Sequence, residues 1–302
     1  MNGILAKEHF YDADKAREYL EKMRWVNGVA CPHCGSLESY HLEAKIDSKQ
    51  PVRSGVYKCK ACRKQFTVTV GTIFEDSHIP LNKWLMAIQL LCSSKKGMSA
   101  HQLHRMLGVT YKSAWFMAHR IRYAMTQPPV VGKLKGIVEA DETYIGGKAH
   151  GKRGRGAENK TPVFALVERG GRVRSFKTEK VTAKNLQEKI RENVDKKATV
   201  MTDEFLAYKN LDKDFTHFTV NHGAGEYVNG DIHTNTAEGF FSILKRGING
   251  VYHHVSEQHL DRYLAEFGFR YDNRKIDDAV RCGLAIEQTK GKRLTYKVCS
   301  DS

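Results

Sequence analysis

No apolar run in this 302-residue chain is long enough to cross a membrane; the most apolar stretch, Trp84 to Cys92, is short and carries Gln89. The first fourteen residues include Lys7, Glu8, Asp12 and Asp14, so the apolar core of a secretory signal is missing and a cytoplasmic location is expected. Cysteine is too sparse for a disulfide framework. Of seven, four stand in two close pairs, while Cys92, Cys282 and Cys299 are isolated, which suits a metal site plus reduced thiols. There is no internal repeat. Acid is the scarcer charge, with 34 Asp and Glu against 49 Lys and Arg and a formal charge of +15. The basic residues recur from Arg53 to Arg293 instead of crowding one tail. A polyanionic partner fits that spread better than a membrane does, and the competing reading is a merely soluble basic protein.

The length allows two or three units, read as a short metal-held head and a larger catalytic body. Asp12 is positioned as the N-cap of a helix in which Ala13, Ala16, Tyr19, Leu20 and Met23 recur at helical spacing. Next come Cys31-Pro-His-Cys34 and Cys59-Lys-Ala-Cys62, separated by 24 residues, and an alternating strand expected over Gln65 to Val70. Tetrahedral Zn²⁺ needs four converging soft ligands, and each tight Cys-x-x-Cys turn supplies two, so Cys31, Cys34, Cys59 and Cys62 form the expected zinc ribbon. A segment this small buries too little apolar surface to fold unaided, so the metal contributes folding free energy directly. His33 and His41 lie nearby as bystanders.

Between Leu81 and Met125 the pattern turns helical three times. Ser99 to Gln102 is a capping-box start, Gly108-Val109-Thr110 is a turn, and Ala114, Met117, Ala118, Ile121 and Met125 keep helical spacing. This is a helix-turn-helix outline, in which Lys112, His119, Arg120 and Arg122 reach toward DNA from the second helix. An ordinary pair of packed helices joined by a glycine turn fits the same pattern. Gln127-Pro128-Pro129 then marks a boundary, because both prolines and the residue before them resist helix.

Beyond it the grammar changes. Strands are expected over 136–145, 161–168 and 172–178, a helix over 184–194, a buried strand over 198–203, a helix through Tyr208, a strand over 215–220, and helices over 234–246 and from Ser256 onward. That order is the α/β order of an RNase H-like mixed sheet with flanking helices. The expected division is therefore 1–72 for the first helix and ribbon, 73–130 for the helix-turn-helix region, and 131–302 for the catalytic body.

Three acids fall at telling places in this order: Asp141 in the first strand, Asp203 at the end of the fourth, and Glu238 on a late helix. Phosphodiester chemistry of the two-metal kind needs divalent ions about 4 Å apart, one activating the attacking oxygen and one stabilising the leaving oxygen. Hard Mg²⁺ or Mn²⁺ is suited to a few carboxylates on rigid elements. Asp203 and Glu238 are separated by 34 residues, and Lys245 follows Glu238 by two helical turns, placing both on one face. Asn235 is the rival for third ligand, since its amide oxygen also suits the ion. The bland alternatives are a solvated strand edge at Glu139-Asp141-Glu142, a helix cap at Asp203-Glu204, and a surface pair at Glu238 and Lys245. The glycine-rich run 146–156 carries Lys148, Lys152, Arg153 and Arg155, and can either mould to a phosphate backbone or form a plain hairpin tip.

Taken together, Cys-Pro-His-Cys-Gly, the second Cys-x-x-Cys, Ile-Val-Glu-Ala-Asp-Glu-Thr-Tyr-Ile-Gly-Gly-Lys, Thr-Asp-Glu-Phe, the run from His233 through Glu238 and Lys245-Arg246 to Ser256, and Glu266-Phe-Gly-Phe-Arg270-Tyr resemble the zinc-ribbon group of DDE transposases of bacterial insertion sequences. The likeness runs from about Phe10 to Arg274. It implies cleavage at terminal inverted repeats, transfer of the freed 3′-hydroxyl to target DNA, divalent-metal dependence, and a dimer or higher oligomer on paired double-stranded ends in the nucleoid. It also makes Asp141 and Asp203 the first two catalytic acids and Lys245 the trailing lysine, with the third position shared between Asn235 and Glu238. His253 and His254 are either near the DNA end or packed. The contrasting possibility is a domesticated, non-catalytic DNA-binding regulator, and a structure-specific nuclease of the same fold is a third.

Overall fold

The computed structural model describes residues 3–43, 52–127, 132–147, 160–220 and 231–296. They form two compact units, one from Met1–Ser94, Met98–Met125 and Ile276–Ser302, the other from Lys95–Gly97 and Thr126–Lys275.

In the first unit, α1 (Ala13–Arg24) starts where the sequence says: the Asp12 carboxylate accepts from the backbone N–H of Asp14 at 2.8 Å and of Lys15 at 2.9 Å. Those bonds satisfy two of the N–H groups a helix start leaves without partners. The ribbon follows as antiparallel β1 (Ser39–His41), β2 (Tyr57–Cys59) and β3 (Gln65–Phe66), in that order. The strand expected to continue to Val70 stops at Phe66. From there the chain turns: Val70 N donates to the Thr67 carbonyl at 3.2 Å and Thr72 Oγ1 to the Thr69 carbonyl at 2.6 Å, while the Thr67 and Thr69 hydroxyls bond each other at 2.8 Å.

Three helices, α2 (Leu81–Ser93), α3 (Ala100–Leu107) and α4 (Tyr111–Ala124), complete the stretch. Ser99 Oγ caps α3 by accepting from Gln102 N at 3.2 Å, Gly108 closes it at φ +58°, and Thr110 Oγ1 caps α4 by accepting from Ser113 N at 3.1 Å.

The second unit is built on a five-stranded sheet made of β4 (Ile137–Gly146), β5 (Lys160–Glu168), β6 (Val173–Lys177), β7 (Thr199–Asp203) and β8 (Thr216–Val220), with α5 (Ala183–Asn193) between β6 and β7. Strand order is β6-β5-β4-β7-β8. The β4–β5 and β5–β6 pairs are antiparallel, and β4–β7 and β7–β8 are parallel, the RNase H-like mixed sheet expected. Helices α6 (Asn235–Gly247) and α7 (Leu260–Asp272) follow. The helix expected through Tyr208 is instead two 3-10 turns, Leu206–Tyr208 and Leu211–Lys213.

Because strand side chains alternate, β4 divides its residues between two cores. Val138 and Ala140 join Leu186 and Ile190 of α5, whereas Ile145 joins Phe240, Phe241 and Leu244 of α6 and Leu264 and Phe267 of α7. Odd-numbered positions of β4 therefore face α6.

The last helix among the described residues, α8 (Asp278–Glu287), belongs to the first unit. Arg281 donates to the Cys92 carbonyl at 2.9 Å, and Cys282, Ala285 and Ile286 are buried. The two compact units cut across the expected three segments: the ribbon, α2 to α4 and α8 fall in the first unit, with α8 packed on α2, and the five-stranded sheet with α5 to α7 in the second.

Candidate active site and metal centre

In the ribbon, two turns repeat one another. Gly35 N donates to the Cys31 carbonyl at 2.9 Å and Arg63 N to the Cys59 carbonyl at 3.1 Å, with the residue after each pair left-handed, Gly35 at φ +77° and Arg63 at φ +62°. The turns face each other so that all four Sγ atoms lie within 4.8 Å, with Cys31 to Cys62 at 3.7 Å and Cys34 to Cys59 at 3.6 Å. Tetrahedral zinc with bonds of about 2.3 Å calls for sulfurs about 3.8 Å apart, so the donor set fits. The backbone N–H of Cys62 points at Cys59 Sγ and pulls that thiol down to about 7, toward the thiolate a metal needs. His33 and His41 are exposed and outside this cluster, as expected of bystanders.

The acids are positioned by the sheet. β4 pairs with β7 in parallel from Ile137 opposite Thr199 to Glu139 opposite Met201. The pairing ends there, and Asp141 and Asp203 each lie two residues further along their strands. Alternation aims both toward the face that carries α6, where Glu238 sits exposed in the first turn and Asn235 is the exposed first residue. Each aspartate is held locally: Asp141 Oδ1 accepts from Glu142 N at 2.7 Å, and Asp203 Oδ1 from Phe205 N at 3.1 Å. The helix-cap alternative for Asp203 is not met, since the 3-10 turn that follows has Phe205 as its N-cap and no side-chain cap bond. Nor is the strand-edge alternative for Asp141, because β4 is the central strand.

Electrostatics ties the acids together. Burial, followed by repulsion from Glu142, Asp203 and Glu238, drives the Asp141 carboxyl from 3.8 up to about 7, against the single N–H of Glu142 that favours its charged form. Asp203 and Glu238 are thus near enough for their charge to be felt at Asp141, while among the described residues only the four ribbon cysteines converge closely enough to be a metal-ligand group. On the opposite face, the buried Tyr208 hydroxyl donates to Glu142 Oε2 at 2.6 Å.

Glu139 was read from sequence only as an acidic neighbour. It is fully buried and accepts from Arg169 Nε at 2.6 Å, Thr236 N at 2.7 Å, Thr236 Oγ1 at 2.8 Å and Ala237 N at 3.0 Å. Its place two residues from Asp141, hence on the same face, was the available signal.

The expected DNA-contacting residues separate. Lys112 is exposed at the start of α4, its ammonium 4.5 Å from the Tyr296 ring centroid. His119, Arg120 and Arg122 are buried and do not reach outward, which corrects the expectation for all three. Arg120 spends its guanidinium inside the unit, donating to the carbonyls of Leu294 at 2.9 Å and Glu75 at 2.7 Å and stacking on Phe116 at 5.0 Å. Helix α4 lies against α2, α3 and α8, which leaves only its first turn to solvent. Lys245 and Arg246 are exposed in the last turn of α6. His253 and His254 are also exposed, so packing does not account for them. Lys148, Lys152, Arg153 and Arg155 lie outside the described residues. Among the described residues, no helix is long and apolar enough to cross a membrane.

Residues 133–272 match the ISXO2-like transposase domain, and residues 12–65 match the transposase zinc-ribbon domain. A protein described as an uncharacterized protein in transposable element ISH50, from Halobacterium salinarum, is 33% identical over 285 residues, covering 86% of this chain and 91% of that one. Similar solved structures include the Mos1 strand transfer complex (14% identity, 72% of this chain and 77% of that one, TM-score 0.28) and a pre-cleavage Mos1 transpososome (13%, 72% and 78%, 0.27), likenesses too loose to bear on function. The family models and the ISH50 relative settle the kinship: the chain belongs to the insertion-sequence transposases that join a zinc ribbon to an ISXO2-like DDE domain.

Proposed function

We infer that this transposase binds the terminal inverted repeats of its element as a dimer or higher oligomer, cleaves phosphodiester bonds at the ends and joins the freed 3′-hydroxyls to target DNA. Asp141, Asp203 and Glu238 are the acids that would hold the catalytic Mg²⁺ or Mn²⁺, and Cys31, Cys34, Cys59 and Cys62 would hold structural Zn²⁺. The bound divalent ions would supply activation of the attacking oxygen and stabilisation of the leaving oxygen. The protein's own part is to fix the acids on a central strand, its parallel neighbour and one helix, and to offer cations to the DNA backbone. Lys245 projects from the Glu238 face of α6 two turns on and is suited to a phosphate beside the acids. Arg246, Lys112 and the glycine-rich loop with Lys148, Lys152, Arg153 and Arg155 are the further candidates for backbone contact. A cytoplasmic, nucleoid-bound location goes with that chemistry.

This reading is supported by Asp141 and Asp203 each lying two residues beyond the same β4–β7 pair, Glu139 opposite Met201, and by the charge of Asp203 and Glu238 being felt at the raised Asp141 carboxyl. The test is a cleavage and strand-transfer assay on DNA bearing the element's terminal repeats, with Mg²⁺ or Mn²⁺ present or chelated. Metal-dependent nicking at the ends, lost in Asp141→Asn and Asp203→Asn while end binding persists, is the expected result. Cleavage surviving in either variant would remove the site, and cutting of branched junctions without end sequence would replace the transposase reading with a structure-specific nuclease.

A further inference from the structure

We propose that Glu139 and Arg169 are positioning residues that lock together the three elements carrying the acids, and so set the affinity of the site for its divalent ions. The proposal rests on the reading of Asp141, Asp203 and Glu238 given above and deepens it.

Helix α6 begins without help from its own N-cap: Thr234 makes no side-chain cap bond. The cap comes from another element. Glu139 of β4 takes the N–H groups of Thr236 and Ala237 on Oε2, while its other oxygen takes Thr236 Oγ1 and Arg169 Nε. A carboxylate at a helix N-terminus is favoured by the helix dipole as well as by the bonds. Arg169 extends the lock. Its guanidinium donates to the carbonyls of Asp231 at 2.7 Å and His233 at 2.9 Å and to His233 Nδ1 at 2.9 Å, and it lies 3.1 Å from Met201 Sδ. The lock touches each element two residues before its acid: Glu139 before Asp141, Met201 before Asp203, Thr236 before Glu238. Such spacing fixes the backbone that presents the acids without the lock itself bonding their carboxylates. Groups that orient metal ligands without touching the metal change affinity about 10–100-fold when removed.

The test compares Glu139→Gln, Arg169→Lys and Thr236→Val with the parent and with Asp141→Asn, in the full-length protein. Mn²⁺ binding is measured by calorimetry without DNA, end-DNA binding in chelator, and cleavage as a function of Mn²⁺ concentration. The expected result is at least about tenfold weaker Mn²⁺ binding and a matching rise in the Mn²⁺ needed for half-maximal cleavage. End binding without metal should be unchanged, and high Mn²⁺ should restore cleavage in the three lock variants though not in Asp141→Asn. If Glu139→Gln does not fold, the other two decide, since both leave the carboxylate cap in place. Mn²⁺ affinity equal to the parent in the folded lock variants overturns the proposal. If Asp141→Asn itself binds Mn²⁺ like the parent, the reading of the acids fails, whatever the lock does.

Discussion

Replacing Asp141 with Asn should make the metal-free protein more stable at alkaline pH, by an amount the structure allows to be worked out. The unfolded carboxyl ionises near 3.8 and the folded one at about 7, so the folded state holds the proton more tightly. A raised carboxylate pKa means stability falls as pH rises from 3.8 and the full penalty is present above 7. At about 1.4 kcal/mol per pH unit the ceiling is about 4 kcal/mol, and about 2 to 3 kcal/mol remains after allowing for solvent reaching a group that is not wholly buried. Asparagine keeps an oxygen for the Glu142 N–H, cannot ionise, and relieves the repulsion from Asp203 and Glu238. Urea unfolding in chelator should therefore show Asp141→Asn ahead by about 2 to 3 kcal/mol at pH 8 and by less than about 1 kcal/mol at pH 4. Adding Mg²⁺ should stabilise the parent, by about 1.4 kcal/mol at ten times its dissociation constant, and leave the variant unmoved. Equal stability at pH 8, or an advantage that does not shrink toward pH 4, would refute the idea that this carboxyl sits among like charges awaiting a cation.

Other outcomes are as definite. Purified protein should contain about one Zn²⁺ per chain, and Cys59→Ser should lose both the metal and the ordered ribbon signals in NMR, because the metal supplies folding free energy there. Glu238→Gln should lower end cleavage by more than about 100-fold and Asn235→Ala by less than about tenfold, since the charged group alone acts on Asp141; the reverse ranking in a single-turnover assay would move the third ligand to Asn235. Arg120→Ala should cost about 2 to 4 kcal/mol in urea unfolding, as two backbone carbonyls and a stacked ring lose their partner. Lys112→Ala should leave stability alone but weaken end binding at every sequence and make its salt slope shallower by about 1.

The order of strands and helices was legible because each element is periodic and bounded. Asp12, Ser99 and Gly108 sit at the helix ends they were assigned, and the mixed sheet follows the expected order. Asp141, Asp203 and Glu238 fall on the central strand, its parallel neighbour and a following helix, as that order placed them. What escaped were facts of tertiary packing. The pattern of α4 shows an inward stripe, but nothing local says that distant segments bury the remaining side: Arg120 is taken up by the carbonyls of Leu294 and Glu75, and His119 and Arg122 are buried with it. Gln65 to Val70 alternates like a strand, yet turn bonds from Val70 N to the Thr67 carbonyl and from Thr72 Oγ1 to the Thr69 carbonyl bend it after Phe66.

Glu139 and Asp141 show why residue type alone could not sort structural acids from chemical ones. Both are glutamate or aspartate on one strand, two residues apart and on one face. Glu139 receives four donors, one of them a guanidinium, and is fully buried at the start of α6. A carboxylate so supplied has little left to offer an ion, and it serves as a rivet. Asp141 accepts the Glu142 N–H, while burial and the charges of Glu142, Asp203 and Glu238 work against its ionisation. A fold that merely needed a polar group at 141 would supply donors there as it does at 139. The asymmetry makes sense if the missing positive charge arrives from outside, as a divalent ion, and the satisfied acid keeps the frustrated one aligned with Asp203 and Glu238 until it does.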